Sequence, residues 1–218
     1  MRSFDEIFDI AAARKGGAEA LEAQLSKPDP SVSTLPEDRW LSILTKGVFQ
    51  AGFNWKVIEN KWDGFEAAFH GFDIGRNAFM NDEDFDSHLR NTDIVRNATK
   101  IQSVRENAVF LMELREEGGA GKVLGGWPSE DFIGLLDLLK KRGNRLGGMT
   151  AQYSLRFAGR DAFILSQDVT ARLIAEGVID KPATSKGAMK AVQAAFNTWA
   201  DQSGRSLTEI SQVLARSV

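Results

Sequence analysis

The sequence contains no cysteine. That one absence excludes disulfides, thiolate metal sites, iron–sulfur clusters and cysteine nucleophiles. Histidine is scarce as well: His70 and His88 stand 18 positions apart, without the close spacing of a histidine metal motif, so no metal site is expected. No run approaches the roughly 18 apolar residues of a membrane span. The N-terminal stretch, amphipathic through Phe4, Ile7 and Phe8, lacks the continuous apolar region of a secretory signal. A cytoplasmic chain with no membrane partner is the expectation. An excess of basic charge is missing too. The formal net charge is −3, so any affinity for nucleic acid must come from a local patch and not from the whole surface.

What is present suits a packed globular chain: 218 residues, 43% hydrophobic and 26% charged, enough for one domain or two closely packed lobes. Nearly every segment repeats at helical spacing, and none alternates as a strand does. Phe4, Ile7, Phe8 and Ala11 mark one face of a first helix, and Ala18, Leu21 and Leu25 that of a second. Thr34 and Glu37 stand at capping-box spacing ahead of a buried helix over about 36–51. Further helices are expected at 55–62, 64–69 and 82–90. The longest amphipathic helix is expected over 95–116, with Ile101, Val104, Ala108, Leu111 and Met112 at core spacing. Gly118, Gly119 and Gly121 then read as a hinge or a plain loop. Past Trp127-Pro128 a helix carries Phe132, Leu135, Leu136 and Leu139 into Lys140-Lys141-Arg142-Gly143. Helices at 148–157, 168–176, 186–201 and 207–216 complete the chain, the last opened by Ser206 and Glu209 at capping-box spacing. The fold class is all-α.

Chemistry concentrates in residues 135–159. A basic helix end, a glycine-containing turn and a second helix opened by Gly147-Gly148-Met149-Thr150 make a hairpin of two helices. A helix start leaves amide donors without partners inside the helix. A backbone phosphate can dock on those donors and on the positive end of the helix dipole, with Lys140, Lys141, Arg142, Gly143 and Arg145 beside it. Such contacts hold DNA without reading its sequence. Lys140-Lys141-Arg142-Gly143 also fits an ordinary helix end, where cations offset the dipole. A second element favours the first reading: Asp168 follows the apolar run at 163–165 and precedes another helix, 21 residues past Gly147.

A hairpin ending in an aliphatic-glycine turn followed by Thr150-Ala151, then about twenty residues and Asp168-Val169, resembles the helix-hairpin-helix superfamily of base-excision glycosylases. Three further stretches resemble the DNA-3-methyladenine glycosylase I family. They are Gln50-Ala51-Gly52-Phe53-Asn54-Trp55, the run from Phe65 to Asp73, and the run from Ile94 to Gln102. Lys140-Lys141-Arg142-Gly143 continues the resemblance in the same order, over roughly residues 40–175. It implies an all-α glycosylase fold of two closely packed helical lobes with a cleft between them, a single domain over 1–218 with the hairpin at about 132–158, and a monomer of bacterial type acting on the nucleoid. Its partner would be duplex DNA holding a damaged base. The chain departs from the family in two places. It cannot build the family's Cys/His zinc site, and Gly47 stands where the family carries a base-recognising glutamate. No cofactor is expected, although a monovalent cation could sit at the hairpin.

The resemblance assigns roles. Breaking an N-glycosidic bond develops positive charge on the sugar, which a carboxylate can stabilise while helping to activate water. Asp168 takes that role; an aspartate there could also simply cap the following helix. Superfamily members with lyase activity carry a Schiff-base lysine where this chain has Met149, so the expected enzyme is monofunctional, with water as nucleophile. A base attacked in duplex DNA must be flipped out and held between flat partners. Gln50, Phe53 and Trp55 match the family's pocket segment, while Tyr153 is expected to pack. The alternative is a non-catalytic module that binds damaged or distorted DNA through the hairpin.

Overall fold

A computed structural model describes residues 1–218, and every regular element is helical. In chain order these are α1 (Phe4–Lys15), α2 (Ala18–Glu22), α3 (Glu37–Gln50), α4 (Trp55–Asn60), α5 (Trp62–Ala68), α6 (Ile74–Ala78), α7 (Asp82–Arg90), α8 (Ala98–Glu113), α9 (Phe132–Arg142), α10 (Met149–Phe157), α11 (Gln167–Ala175), α12 (Lys186–Ser203) and α13 (Leu207–Arg216). No helix is long and apolar enough to cross a membrane. The chain divides into two compact units. One comprises Met1–Asp29, Pro128–Gly134 and Gly159–Val218; the other comprises Pro30–Trp127 and Leu135–Ala158.

The first unit is organised around an aromatic core. Phe163 meets Phe132 edge-on at 4.8 Å and stacks on Phe196 at 4.6 Å, and Phe196 in turn meets Trp199. The extended segment before α11 has no ladder to satisfy its amides. Hydroxyls of α13 do so instead: Thr208 Oγ1 accepts from the Ala162 amide and Ser211 Oγ from that of Ile164. That explains two hydroxyl residues on the buried face of α13. The capping box of Ser206 and Glu209 opens α13 as its spacing predicts. A second box, Ser3 with Glu6, opens α1.

Both ends of the chain meet at one buried carboxylate. Glu176, its side chain 1% exposed, accepts from the Arg2 amide at 2.8 Å, from the Arg2 guanidinium at 2.7 Å and from Arg172 at 3.2 Å. Arg172 donates in turn to Ser217 Oγ at 2.8 Å and to the Ser217 carbonyl. Burial pushes the Glu176 carboxyl up, but the bonds from Arg2 and Arg172 outweigh it and leave the carboxyl below its ordinary value.

The second unit is built on α3, which buries Trp40, Leu41, Leu44, Val48 and Phe49. Phe65 meets Phe49 at 4.6 Å, and Trp62, Phe65, Phe69 and Phe72 form a stack. After α5 the backbone turns left-handed at His70, Gly71 and Phe72, with φ of 55°, 63° and 60°. Two of these residues carry a side chain, at a cost of about 1–2 kcal/mol each. Arg39 holds the turn through the Gly71 carbonyl at 2.7 Å, and Phe72 is locked against Trp62.

Three expectations need correction. Thr34 and Glu37 form no capping box, because the N-cap of α3 is Pro36 and Glu37 is its first residue. Thr34 Oγ1 donates to the Ser31 carbonyl, and Glu37 is taken by Arg115. The glycines after α8 lead into a π-helical turn over Gly121–Gly125, neither hinge nor slack loop. A Cβ at Gly121 would fall 2.3 Å from the Ser33 carbonyl and one at Gly125 2.6 Å from that of Val32, so these glycines permit close backbone packing. The longest helix is α12, with 18 residues against 16 in α8.

Candidate nucleic-acid interface and base site

In the hairpin, α9 ends in Lys140, Lys141 and Arg142 and α10 begins after Gly148. Two glycines are obligatory. A Cβ at Gly143 would lie 2.6 Å from Leu146 Cδ1 and 2.8 Å from the Leu139 carbonyl. Gly148 has φ 57° and ψ −131°, outside the range of side-chain-bearing residues. No side chain caps α10; Gly148 and Met149 are exposed there, while Thr150 is half-buried. Buried Leu146 plugs the inside of the turn.

The basic residues are not equivalent. Arg142 pairs with Glu113 and Glu117 and lies over the Phe110 ring at 5.4 Å, so its charge is engaged within the fold. Lys141 pairs with Asp137 one helical turn back. Lys140 is exposed. Arg145, in the left-handed region at φ 58°, donates to Thr99 Oγ1 at 2.9 Å.

The turn amides are not all open. Asn107, fully buried on α8, accepts from the Asn144 amide at 2.8 Å and donates to the Asn144 carbonyl at 3.1 Å. This reciprocal pair fixes the backbone at the tip of the hairpin.

The segment from Gln50 to Trp55 leaves the C-terminal end of α3. Gln50 is buried, whereas Phe53 and Trp55 are 41% and 39% exposed. Asn54 caps α4 through the Lys56 amide. The Trp55 ring meets Tyr153 at 5.2 Å and Phe157 at 5.8 Å, both edge-on. Two aromatic side chains of the hairpin's second helix therefore brace Trp55, which remains 39% exposed. Tyr153 packs, as its sequence context implied.

Lys100 lies beneath this segment. It is 6% exposed, and Nζ donates to the Phe49 carbonyl at 3.1 Å and the Ala51 carbonyl at 2.6 Å. The same ammonium sits 4.5 Å from the Phe53 ring centroid and 5.8 Å from that of Phe49. Burial, and then the nearby Arg145 charge, lowers its pKa. Sequence reading missed Lys100 and Asn107; their signal was position, since residues 100, 104 and 107 share a face with the apolar stripe of α8.

Gly47 is buried against α10. A Cβ there would fall 2.0 Å from Ser154 Oγ and 3.3 Å from Ser154 Cβ, so a side chain at this position requires the Ser154 hydroxyl to turn away. Asp168 belongs to the first unit, exposed in the first turn of α11. The N-cap is Ser166, whose Oγ accepts from the Val169 amide at 3.2 Å, so Asp168 is not the capping group. The residues do not fit the Cys/His zinc site of the resembling family. There is no cysteine, and no group of three His, Asp or Glu side chains is placed to hold an ion.

The all-helical chain with its hairpin of two helices has the fold seen in known DNA glycosylases. The fold agrees with two solved structures of 3-methyladenine DNA glycosylase I. A tyrosine-to-phenylalanine variant in complex with 3-methyladenine superposes with a TM-score of 0.53 at 20% identity, over 68% of this chain and 89% of that one. A glutamate-to-glutamine variant from Staphylococcus aureus gives 0.51 at 19% identity, over 65% and 84%. In sequence, DNA-3-methyladenine glycosylase 1 of Escherichia coli (strain K12) is 32% identical over 69 residues. That match spans 32% of this chain and 37% of the relative's length. The methyladenine glycosylase family model matches residues 32–124, so that segment is similar to the family.

Proposed function

We propose that this chain is a monofunctional DNA glycosylase that hydrolyses the N-glycosidic bond of an alkylated purine, of the 3-methyladenine kind, flipped out of duplex DNA. Trp55 carries the reading. A half-exposed indole in the family-matching segment, in perpendicular contact with Tyr153 and Phe157, keeps ring surface accessible to a flipped base. The uncapped start of α10, with Gly147, Gly148 and Thr150, would receive a backbone phosphate, and exposed Lys140 and Lys141 would add charge.

An alkylated purine nucleoside already carries positive charge. As the bond to the sugar breaks, the base leaves neutral and the charge passes to the sugar. Asp168 supplies the carboxylate that stabilises this charge, and water adds to the anomeric carbon with loss of a proton. With Met149 in place of an amine no Schiff base forms, so the strand stays intact. The enzyme works as a monomer and needs no metal.

The test is release of free 3-methyladenine from alkylated duplex DNA by the purified protein, with Asp168→Asn and a chelator control. Release that survives chelation and falls at least about a hundredfold in the variant supports the assignment. Release that the variant retains removes Asp168 from the mechanism. One observation favours a second reading, a module that binds distorted DNA without excision. Gly47 stands where the resembling family carries a base-recognising glutamate, so the chain offers no carboxylate at that position. Salt-sensitive duplex binding without release of any base would establish that reading instead.

A further inference from the structure

Three polar side chains are buried in α8; Ser103 bonds within the helix, whereas Lys100 and Asn107 reach outside it. Lys100 projects to the C-terminal end of α3, where the last carbonyls of a helix have no partner inside it. It takes two carbonyls, of Phe49 and Ala51, and holds the Phe53 ring. Asn107 projects to the hairpin and binds both the amide and the carbonyl of Asn144. The two positions are seven residues apart on one face of α8, a separation of about 10.5 Å along the axis. Thr99, beside Lys100, adds a third tie through Arg145. A buried lysine or asparagine is costly unless its bonds are made, and here each makes bonds to backbone on a different element. Backbone bonds fix where a segment lies, whatever its side chains.

We infer that α8 registers the base-contacting segment against the hairpin, with Lys100 and Asn107 as its two positioning residues. The inference rests on the base-excision reading above and extends it. The hairpin sets where the DNA backbone docks, residues 50–55 set where the flipped base is held, and one rigid helix fixes the spacing between them. Neither residue touches substrate. Lys100 acts through Phe53 and the end of α3, and Asn107 through the tip of the hairpin.

The two roles separate by readout. Binding of free 3-methyladenine reports the base segment alone, and binding of an undamaged duplex reports the hairpin alone. Lys100→Met keeps the side-chain volume and removes the ammonium. It is expected to weaken free-base binding about tenfold, the loss of a bond to a charged group, and to leave duplex affinity within about twofold. Lys100→Arg restores the charge and donors and recovers part of the base affinity. Asn107→Ala is expected to do the opposite, weakening duplex binding about tenfold and sparing free-base binding. Excision of 3-methyladenine from DNA should fall in both. Variants that lose both bindings together, or neither, overturn the inference while wild-type activity leaves the excision reading standing. A wild type that binds neither free base nor duplex overturns the excision reading and this inference with it.

Discussion

Two buried cations, Arg172 in the first unit and Lys100 in the second, are held in opposite ways. In the first, Arg172 faces the carboxylate of Glu176, which also takes Arg2, so charge meets charge and the two chain ends are tied. In the second, the Lys100 ammonium has carbonyl oxygens and aromatic rings as its partners. A paired buried charge is hard to break but says little about function, because removing one partner strands the other. An ammonium kept in a low-polarity setting without a carboxylate is held against its own desolvation, and such settings gather at working sites. The contrast separates a clamp for the fold from a device at the site.

The largest effect expected is on the clamp. Glu176→Ala leaves Arg172 buried without its carboxylate and should cost about 3–5 kcal/mol in urea unfolding. A loss under about 1 kcal/mol would show that Ser217 alone holds Arg172 and would remove the contrast. Acid should act on the same group. The folded carboxyl sits below its ordinary 4.5, so its contribution is complete above that pH and disappears as pH falls through the folded value. Glu176→Gln should flatten the acid limb of the stability curve.

Lys100→Met is expected to change stability by about 1 kcal/mol or less, because relief of the buried charge offsets the two lost bonds. Its pH signature has the other sense. A lysine whose folded pKa lies below its ordinary 10.5 binds fewer protons folded than unfolded between those values, so stability should rise with pH through that window. In Lys100→Met the rise should vanish, and a wild type without it would mean that the ammonium is well solvated. The smallest effect belongs to an exposed pair. Asp137→Asn, which frees Lys141, should shift stability by less than about 0.5 kcal/mol.

Much of the helical layout was legible because helix starts carry their own chemistry. Ser206 with Glu209 opens a helix where its spacing says it should. Thr34 with Glu37 has the same spacing and forms no box, since Pro36 moves the helix start and Arg115 competes for Glu37. Spacing names a candidate, and tertiary partners decide. The five residues of α6 were too short to show a period.

At the candidate site, the hairpin was legible from residue type and the aromatic segment only through the family resemblance. Lys100 and Asn107 were not, because a lysine or asparagine on an amphipathic helix ordinarily faces water. Only packing reveals that α3 and the hairpin lay backbone against them. The basic run at 140–142 likewise looked uniform, yet Arg142 is bound to Glu113 and Glu117 while Lys140 stays exposed.

The central claim is that Trp55 presents its face to an excised base. Its most direct test is single-turnover release of 3-methyladenine from a duplex alkylated at one site, by the wild type and by Trp55→Ala. The account predicts release by the wild type and a loss of at least about tenfold in the variant, in line with the stacking energy of a base on an aromatic ring. Equal rates in the two proteins, or no release by the wild type, would contradict it.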